Sequence, residues 1–259
     1  MLNYKELAEF LVKAEKNKMA VPRITEKNPE FDISMGYQVQ QELVKIKKNQ
    51  GHEIFAFKMG LTSMAKMTQM NITELIYGYI FDYMNIPDQG EISIDELIHP
   101  KVEAEIAFIL SEDLQGPDIT VDQVMEKTEW ILPALEIIDS RYQNFKFKLP
   151  DVIADNTSAS RVVLGNRKFR PQEFKIDSIG VTLMINDELR ANGVSAAVLD
   201  NPANSVAILA NMLYTNGKRK IPKGSMILTG GITEAILLNK WDIVTSKFDH
   251  MGEISFRVR

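Results

Sequence analysis

Two glutamates, Glu103 and Glu105, interrupt an otherwise apolar run, "KVEAEIAFIL", at residues 101–110. Acidic side chains are depleted in strands and rarely buried without a partner. In a strand, side chains at i and i+2 share a face, so these two project together while Val102, Ala104 and Ile106 point the other way. Adjacent buried carboxylates repel, and either one takes a proton or a cation sits between them. A third acid, Glu136, closes another apolar run in "ILPALEIIDSRY" and is expected on a second strand. Three carboxylates without cysteine or histidine ligands favour a hard divalent ion, Mg²⁺ or Mn²⁺. The wet face of a half-exposed strand is the alternative use for the same acids.

Other polar residues lie near these runs. Lys58 stands between Phe57 and Met59, where a lysine loses proton affinity, pairs with an anion, or extends its stem to solvent. Asp139 and Arg141 follow Glu136 directly, either as a structural ion pair or with Arg141 compensating the acidic cluster and Asp139 close to the reacting carbons. "ADNTSASR" places Asp155, Asn156, Ser158 and Ser160 in a turn-forming stretch. The turn Thr229–Gly231 allows close backbone approach to an anion, or simply joins two strands. His52, His99 and His250 are scattered and receive no catalytic role. No Ser–His–Asp order, phosphate loop or dinucleotide fingerprint occurs.

The elements that must position these residues follow from periodicity. Leu7, Phe10, Leu11 and Ala14 recur at helical spacing over residues 4–17, and Met35, Val39, Leu43 and Ile46 over 34–49. "EIFAFKMGLTS" reads as a strand ending at Gly60, and the methionine-rich "SMAKMTQMNI" as partly helical. From Ile86 onward, short β-like runs separated by turn residues predict a mostly antiparallel, rolled or barrel-like sheet. Helices interrupt it over 121–130 and 204–215, with Gly217 as a C-cap. The expected class is α+β, with an N-terminal α/β subdomain over 1–85 and a β-roll catalytic domain over 86–259.

Bulk composition narrows the function. With 45% hydrophobic and 25% charged residues among 259, the chain has the balance of a soluble globular protein. A formal net charge of −5 leaves no basic footprint for nucleic acid. The absence of cysteine excludes disulfides, thiolate nucleophiles and zinc–sulfur sites, and suits a reducing cytoplasm. Charges run throughout the first 18 residues, and no stretch is apolar for the roughly 18 residues that a membrane span requires. A cytoplasmic protein without membrane or nucleic-acid partners is expected.

Taken together, "HPKVEAEIAFIL", "LPALEIIDSRYQNFKF" and "VIADNTSASRVVLG" resemble the hydratase/decarboxylase branch of the fumarylacetoacetate hydrolase superfamily. "FKMGLTSMAKMTQM", "IYGYIFDY" and "ILTGGITEA" extend the resemblance nearly end to end. It implies a mixed β-roll with an N-terminal helical subdomain, a metal held by Glu103, Glu105 and Glu136, and an active-site lysine at Lys58. It further implies Asp139 and Ser158 as catalytic residues, and Arg141, Asn156, Thr229 and Gly230 in substrate binding. The activity implied is Mg²⁺- or Mn²⁺-dependent decarboxylation of 2-oxo-3-hexenedioate to 2-oxopent-4-enoate and CO₂, in aromatic meta-cleavage degradation. The ion stabilises negative charge on the keto oxygen. Hydration of 2-hydroxypenta-2,4-dienoate is the sister activity; "EIIDSRYQNFKF" and "IYGYIFDY" resemble the decarboxylase version. The resemblance also implies a homo-oligomer, associating with the pathway hydratase. A related C–C hydrolase would need a base such as a histidine beside a carboxylate, and no such pair lies near these motifs. A non-catalytic oligomer stabilised by metal is the reading from a different class.

Overall fold

The computed structural model describes residues 2–63, 74–217 and 219–259. Apart from Ser63, the methionine-rich stretch expected to be partly helical lies outside the described residues. Helix α1 (Tyr4–Asn17) starts where the Asn3 side chain accepts from the Glu6 amide, and it buries Ala8, Leu11, Val12 and Ala14. A short α2 (Ile24–Lys27) precedes α3 (Ile33–Asn49), which Asp32 caps at the Met35 amide. The apolar stripes of α1 and α3 pack on each other, the usual outcome for two amphipathic helices.

Strands β1 (Ile54–Gly60) and β2 (Ile76–Phe81) form an antiparallel pair, followed by the short β3 (Asn85–Ile86) and β4 (Glu91–Ile92). The two longest strands are β5 (Lys101–Leu110) and β6 (Thr128–Ile138), joined through helix α4 (Val121–Glu126). The expected helix over 121–130 thus stops early. The run from Thr128 to Ile131, rich in β-branched and aromatic side chains, joins β6 instead.

Helix α5 (Leu149–Ala154) and a turn lead into β7 (Ala159–Leu164). Then come β8 (Gly180–Ile185), β9 (Glu188–Val194), α6 (Pro202–Thr215), β10 (Met226–Leu228), β11 (Ile236–Leu237), β12 (Ile243–Phe248) and β13 (Gly252–Val258).

These strands make two sheets. The larger runs β2-β1-β10-β5-β6-β7-β3, with β11 also on β5; the smaller runs β4-β13-β12-β8-β9. Pairing is mostly antiparallel, with parallel ladders at β1–β10, β3–β7 and β4–β13. This is the α+β mixed roll, with three α-helices ahead of the first strand and, among the described residues, three more between later strands. The three N-terminal helices end at Asn49, and β1 and β2, which follow them, enter the larger sheet through β10. One face of β5 presents the fully buried Val102, Ala104, Ile106 and Phe108 to the core, with Leu135 and Ile137 from β6. The opposite face carries the acids.

Candidate active site

The β5–β6 register sets Glu103 directly opposite Glu136, with Glu105 one repeat further along β5. Directly opposed residues bring their Cβ atoms to about 5 Å. One carboxylate oxygen from each of the three lies within 4.8 Å of the others. Glu105 and Glu136 are fully buried, and Glu103 is half-buried. Few donors answer them. The Gly230 amide donates to Glu105 Oε2 at 2.7 Å, and Lys58 Nζ stands 2.9 Å from Glu136 Oε1. That second contact is an ion pair without hydrogen-bond alignment. Glu105 Oε1 and both Glu136 oxygens accept no hydrogen bond among the described residues. Burial, followed by the charges of Glu136 and Glu103, pushes the Glu105 carboxyl well above its ordinary range.

This donor set fits a divalent cation. Buried oxygens left without donors are costly, and three hard carboxylate ligands match Mg²⁺, Mn²⁺ or Ca²⁺ chemistry.

The glycine turn after β10 serves the acids. Gly230 has φ +105° and a Cβ there would collide with the Thr62 side chain; a Cβ on Gly231 would collide with the Glu103 carboxylate. The turn therefore approaches glutamates through its backbone. Thr229 is buried just after β10, donating to the Ile106 carbonyl at 2.8 Å and accepting at its own carbonyl from Ser205 Oγ at 2.7 Å. Thr229 and Gly230 do not line the cavity in front of the acids.

Lys58, only 2% exposed, reaches the cluster from β1 and also donates to the Thr157 carbonyl at 2.9 Å. Thr157 belongs to three successive left-handed residues, Asn156, Thr157 and Ser158, with φ between +51° and +56°. Such backbone costs energy at non-glycine residues and persists only when the surroundings impose it. Here Asn156 Oδ1 accepts from the Tyr79 amide at 2.9 Å and its Nδ2 donates to the Tyr79 carbonyl at 2.8 Å. Arg141 pairs with the Asp155 carboxylate and carbonyl, and donates to the carbonyls of Asp139 (2.8 Å) and Ala159 (2.9 Å). Burial works against the Arg141 charge, but Asp155, Glu15 and Asp139 hold its pKa above the ordinary value.

Three expected site residues are thus not brought to the acids. The Asp139 carboxylate accepts from the Ile98 and His99 amides at 2.9 and 2.8 Å, fixing the start of β5. Arg141 braces the left-handed turn from behind, and Asn156 spends its amide on β2. Glu103, Glu105, Glu136 and Lys58 do come together, and Ser158 lines the same cavity as Lys58 and Glu103.

Lys58, Glu103 and Ser158 line a cavity of about 330 Å³, with Glu105 and Glu136 buried behind Glu103 and Lys58. Its lining also includes Thr62, Ser63 and Lys101, with apolar walls from Ile138, Phe145, Phe147 and Val152. Ser158 Oγ donates to Asp155 Oδ2 at 3.3 Å. Sequence reasoning missed Lys101, Thr62 and the two phenylalanines. Lys101 had a signal, since the alternation pairing Glu103 with Glu105 extends back to residue 101. The phenylalanines had none, because a loop folds them over the cavity.

Fold and site together define an enzyme of the fumarylacetoacetate hydrolase type, with an acidic centre for a divalent ion. No protein-family model matches the chain. The 4-oxalocrotonate decarboxylase of Pseudomonas sp. strain CF600 is 41% identical over 97% of this chain and 95% of its own length. The 2-oxo-hept-4-ene-1,7-dioate hydratase of Escherichia coli is 35% identical over 97% and 96%. Among solved structures, the 4-oxalocrotonate decarboxylase from Pseudomonas putida G7, complexed with magnesium and adipate, superposes with a TM-score of 0.97. That match has 39% identity and covers 100% of this chain and 99% of the other. Fumarylpyruvate hydrolase from Pseudomonas aeruginosa, with Mn²⁺ and pyruvate, shares the fold at TM-score 0.64, with 13% identity over 78% of this chain and 88% of its own. The chain belongs to the hydratase/decarboxylase family of the fumarylacetoacetate hydrolase superfamily. Among the described residues, no helix is long and apolar enough to cross a membrane.

Proposed function

We propose that the chain decarboxylates 2-oxo-3-hexenedioate (4-oxalocrotonate), with Glu103, Glu105 and Glu136 holding Mg²⁺ or Mn²⁺. The observation that carries this reading is the convergence of three carboxylates with unsatisfied buried oxygens beside a buried ammonium, at an otherwise largely apolar cavity. The decarboxylase relative at 41% identity, against 35% for the hydratase, supports the carboxy-lyase over the hydro-lyase. The magnesium in the solved decarboxylase supports that ion. When bound, the ion supplies a Lewis acid that stabilises negative charge on a carbonyl oxygen.

In the reaction the C5–C6 bond breaks and CO₂ leaves. The electron pair moves through the C3=C4 double bond toward the keto oxygen, and the resulting dienolate takes up one proton. Lys58 has three N–H donors; one goes to the Thr157 carbonyl, and the ammonium as a whole pairs with the charge of Glu136. An N–H with no acceptor among the described residues can turn to a substrate oxygen, where charge grows as the bond breaks, so its contribution is largest in the transition state. Ser158 Oγ orients the same end of the substrate. Ile138, Phe145, Phe147 and Val152 keep water from the dienolate, and a carboxylate deprived of hydration departs more readily as neutral CO₂. Asp139, Arg141 and Asn156 serve by holding β5 and the left-handed turn, and Thr229 and Gly230 by seating Glu105.

The same reading includes a cytoplasmic homo-oligomer associating with the pathway hydratase. The cysteine-free composition supports a reducing compartment. The lability of a dienol product in water supports direct transfer to the next enzyme.

The test is incubation with 2-oxo-3-hexenedioate and Mg²⁺, following CO₂ and product. One CO₂ per 2-oxopent-4-enoate, abolished by chelator, is expected. Conversion of 2-hydroxypenta-2,4-dienoate to 4-hydroxy-2-oxopentanoate, with no CO₂ from the hexenedioate, would make the protein a hydratase. Turnover of neither would leave a metal-stabilised scaffold.

A further inference from the structure

Lys101 shares its strand face with Glu103 and Glu105 and lines the cavity together with Glu103 and Lys58. Two residues of strand separate its Cα from that of Glu103 by roughly 6.6 Å. Its partner across the ladder is Ile138, one repeat from Glu136, so Lys101 marks the end of the cavity floor away from Glu105. Among the described residues its ammonium makes no ion pair or hydrogen bond. It sits 4.4 Å from the centroid of the Phe145 ring. That ring is held in place at a backbone cost, since Asn144 and Phe145 have φ of +57° and +55°, a conformation that bulky residues avoid. Phe147 packs on the same ring at 5.8 Å, and His99 at 5.2 Å from another side.

The cavity is thus bipolar along β5. One end holds the acidic centre, which with a divalent ion would receive the head of a 2-oxo acid. The other offers a cation with no counter-anion among the described residues, seated on an aromatic face.

We propose that Lys101 is the specificity residue for the distal carboxylate, making the site selective for 2-oxo dicarboxylates over 2-oxo monocarboxylates of equal length. This rests on the proposed reading of the acidic centre as the seat of a 2-oxo acid. The distance from Glu103 to Lys101 along the strand suits the two ends of an extended six-carbon chain. The Phe145 ring gives the ammonium an alternative partner, since cation–π attraction holds a lysine without fixing it as a carboxylate would. The distal carboxylate is therefore recognised without being locked as an anion, and it can leave as CO₂. The product keeps no distal anion and loses its hold on Lys101, which returns to the ring.

The test uses the Mg²⁺-loaded protein and two unreactive probes, 2-oxoadipate and 2-oxohexanoate, titrated calorimetrically. A charge-assisted contact corresponds to a preference of roughly 10- to 100-fold for 2-oxoadipate. Lys101→Met should lower 2-oxoadipate affinity to that of 2-oxohexanoate while leaving the latter unchanged. Lys101→Arg should retain the preference. With 2-oxo-3-hexenedioate, Lys101→Met should raise KM more than it lowers kcat. Equal binding of both probes by the unmodified protein, or a preference that survives Lys101→Met, overturns the role of Lys101 alone. Binding of neither probe overturns the 2-oxo acid reading and this inference with it.

Discussion

At position 58 an ammonium stands 2.9 Å from Glu136 Oε1, and three carboxylates share the space beyond it. Removing it has two separable effects. Without a bound ion, Lys58→Met leaves Glu136 buried without its ammonium partner, and breaking one side of such a pair costs about 3 kcal/mol or more. With the ion bound, the acids are compensated, so most of that loss should disappear. Turnover should not recover, because a Lys58 donor acts where charge develops; a kcat loss of roughly 100-fold with little change in KM is expected. Thermal melts with and without Mg²⁺, together with steady-state kinetics, check both halves. A variant with ordinary kcat would remove Lys58 from the chemistry.

At the scale of elements, the site is made by one strand register and one strained turn. The alternation in "KVEAEIAFIL" was enough to put Glu103 and Glu105 on one face, because side-chain direction in a strand is a local property. That Glu103 lies opposite Glu136 was not legible, since pairing register depends on what the rest of the sheet buries. Asp139 shows where proximity in sequence misleads. Glu136 and Ile138 share a face, so residue 139 leaves on the other one, toward the Ile98 and His99 amides. Strand β9 escaped notice because its edge position leaves most of it exposed and erases apolar alternation. The left-handed run 156–158 was equally hidden, because only the surrounding clamp of Arg141, Asp155 and Asn156 imposes it. That clamp is testable. Asp155→Asn should cost about 3 kcal/mol, because Arg141 is left buried without its carboxylate, or roughly 10 °C in Tm. It should also lower kcat by misplacing the Thr157 carbonyl that holds Lys58, while Mg²⁺ affinity stays within about twofold. Collapse of Mg²⁺ affinity instead would mean that the turn supports the acids rather than the lysine.

For the whole molecule, folding must bring three acids together on one sheet while the smaller sheet, through β13, packs behind β6 and β7. The acidic centre therefore works against the fold until it is neutralised, by protons or by a cation. Burial, with Glu136 and Glu103 beside it, raises the Glu105 carboxyl well above its ordinary 4.5. A carboxyl whose folded pKa is raised contributes its full stability below the unfolded value and loses it as pH climbs through the folded one. Metal-free protein should therefore lose stability as pH rises from about 4.5 toward the raised value. Each unit crossed costs about 1.4 kcal/mol, or roughly 4 °C in Tm. Mg²⁺ reverses the trend, because it binds the deprotonated acids, displaces protons and binds more tightly at higher pH. At a free concentration of 100 Kd it should add about 2.7 kcal/mol. Calorimetric melts at about pH 5.5, 7 and 8.5, with chelator or with Mg²⁺, resolve the two trends. Comparison with Glu105→Gln separates this group from the other carboxylates, because the variant should lack both the metal-free decline and most of the stabilisation by Mg²⁺. Equal behaviour of the two proteins in both conditions would mean that Glu105 neither carries the strain nor holds the ion.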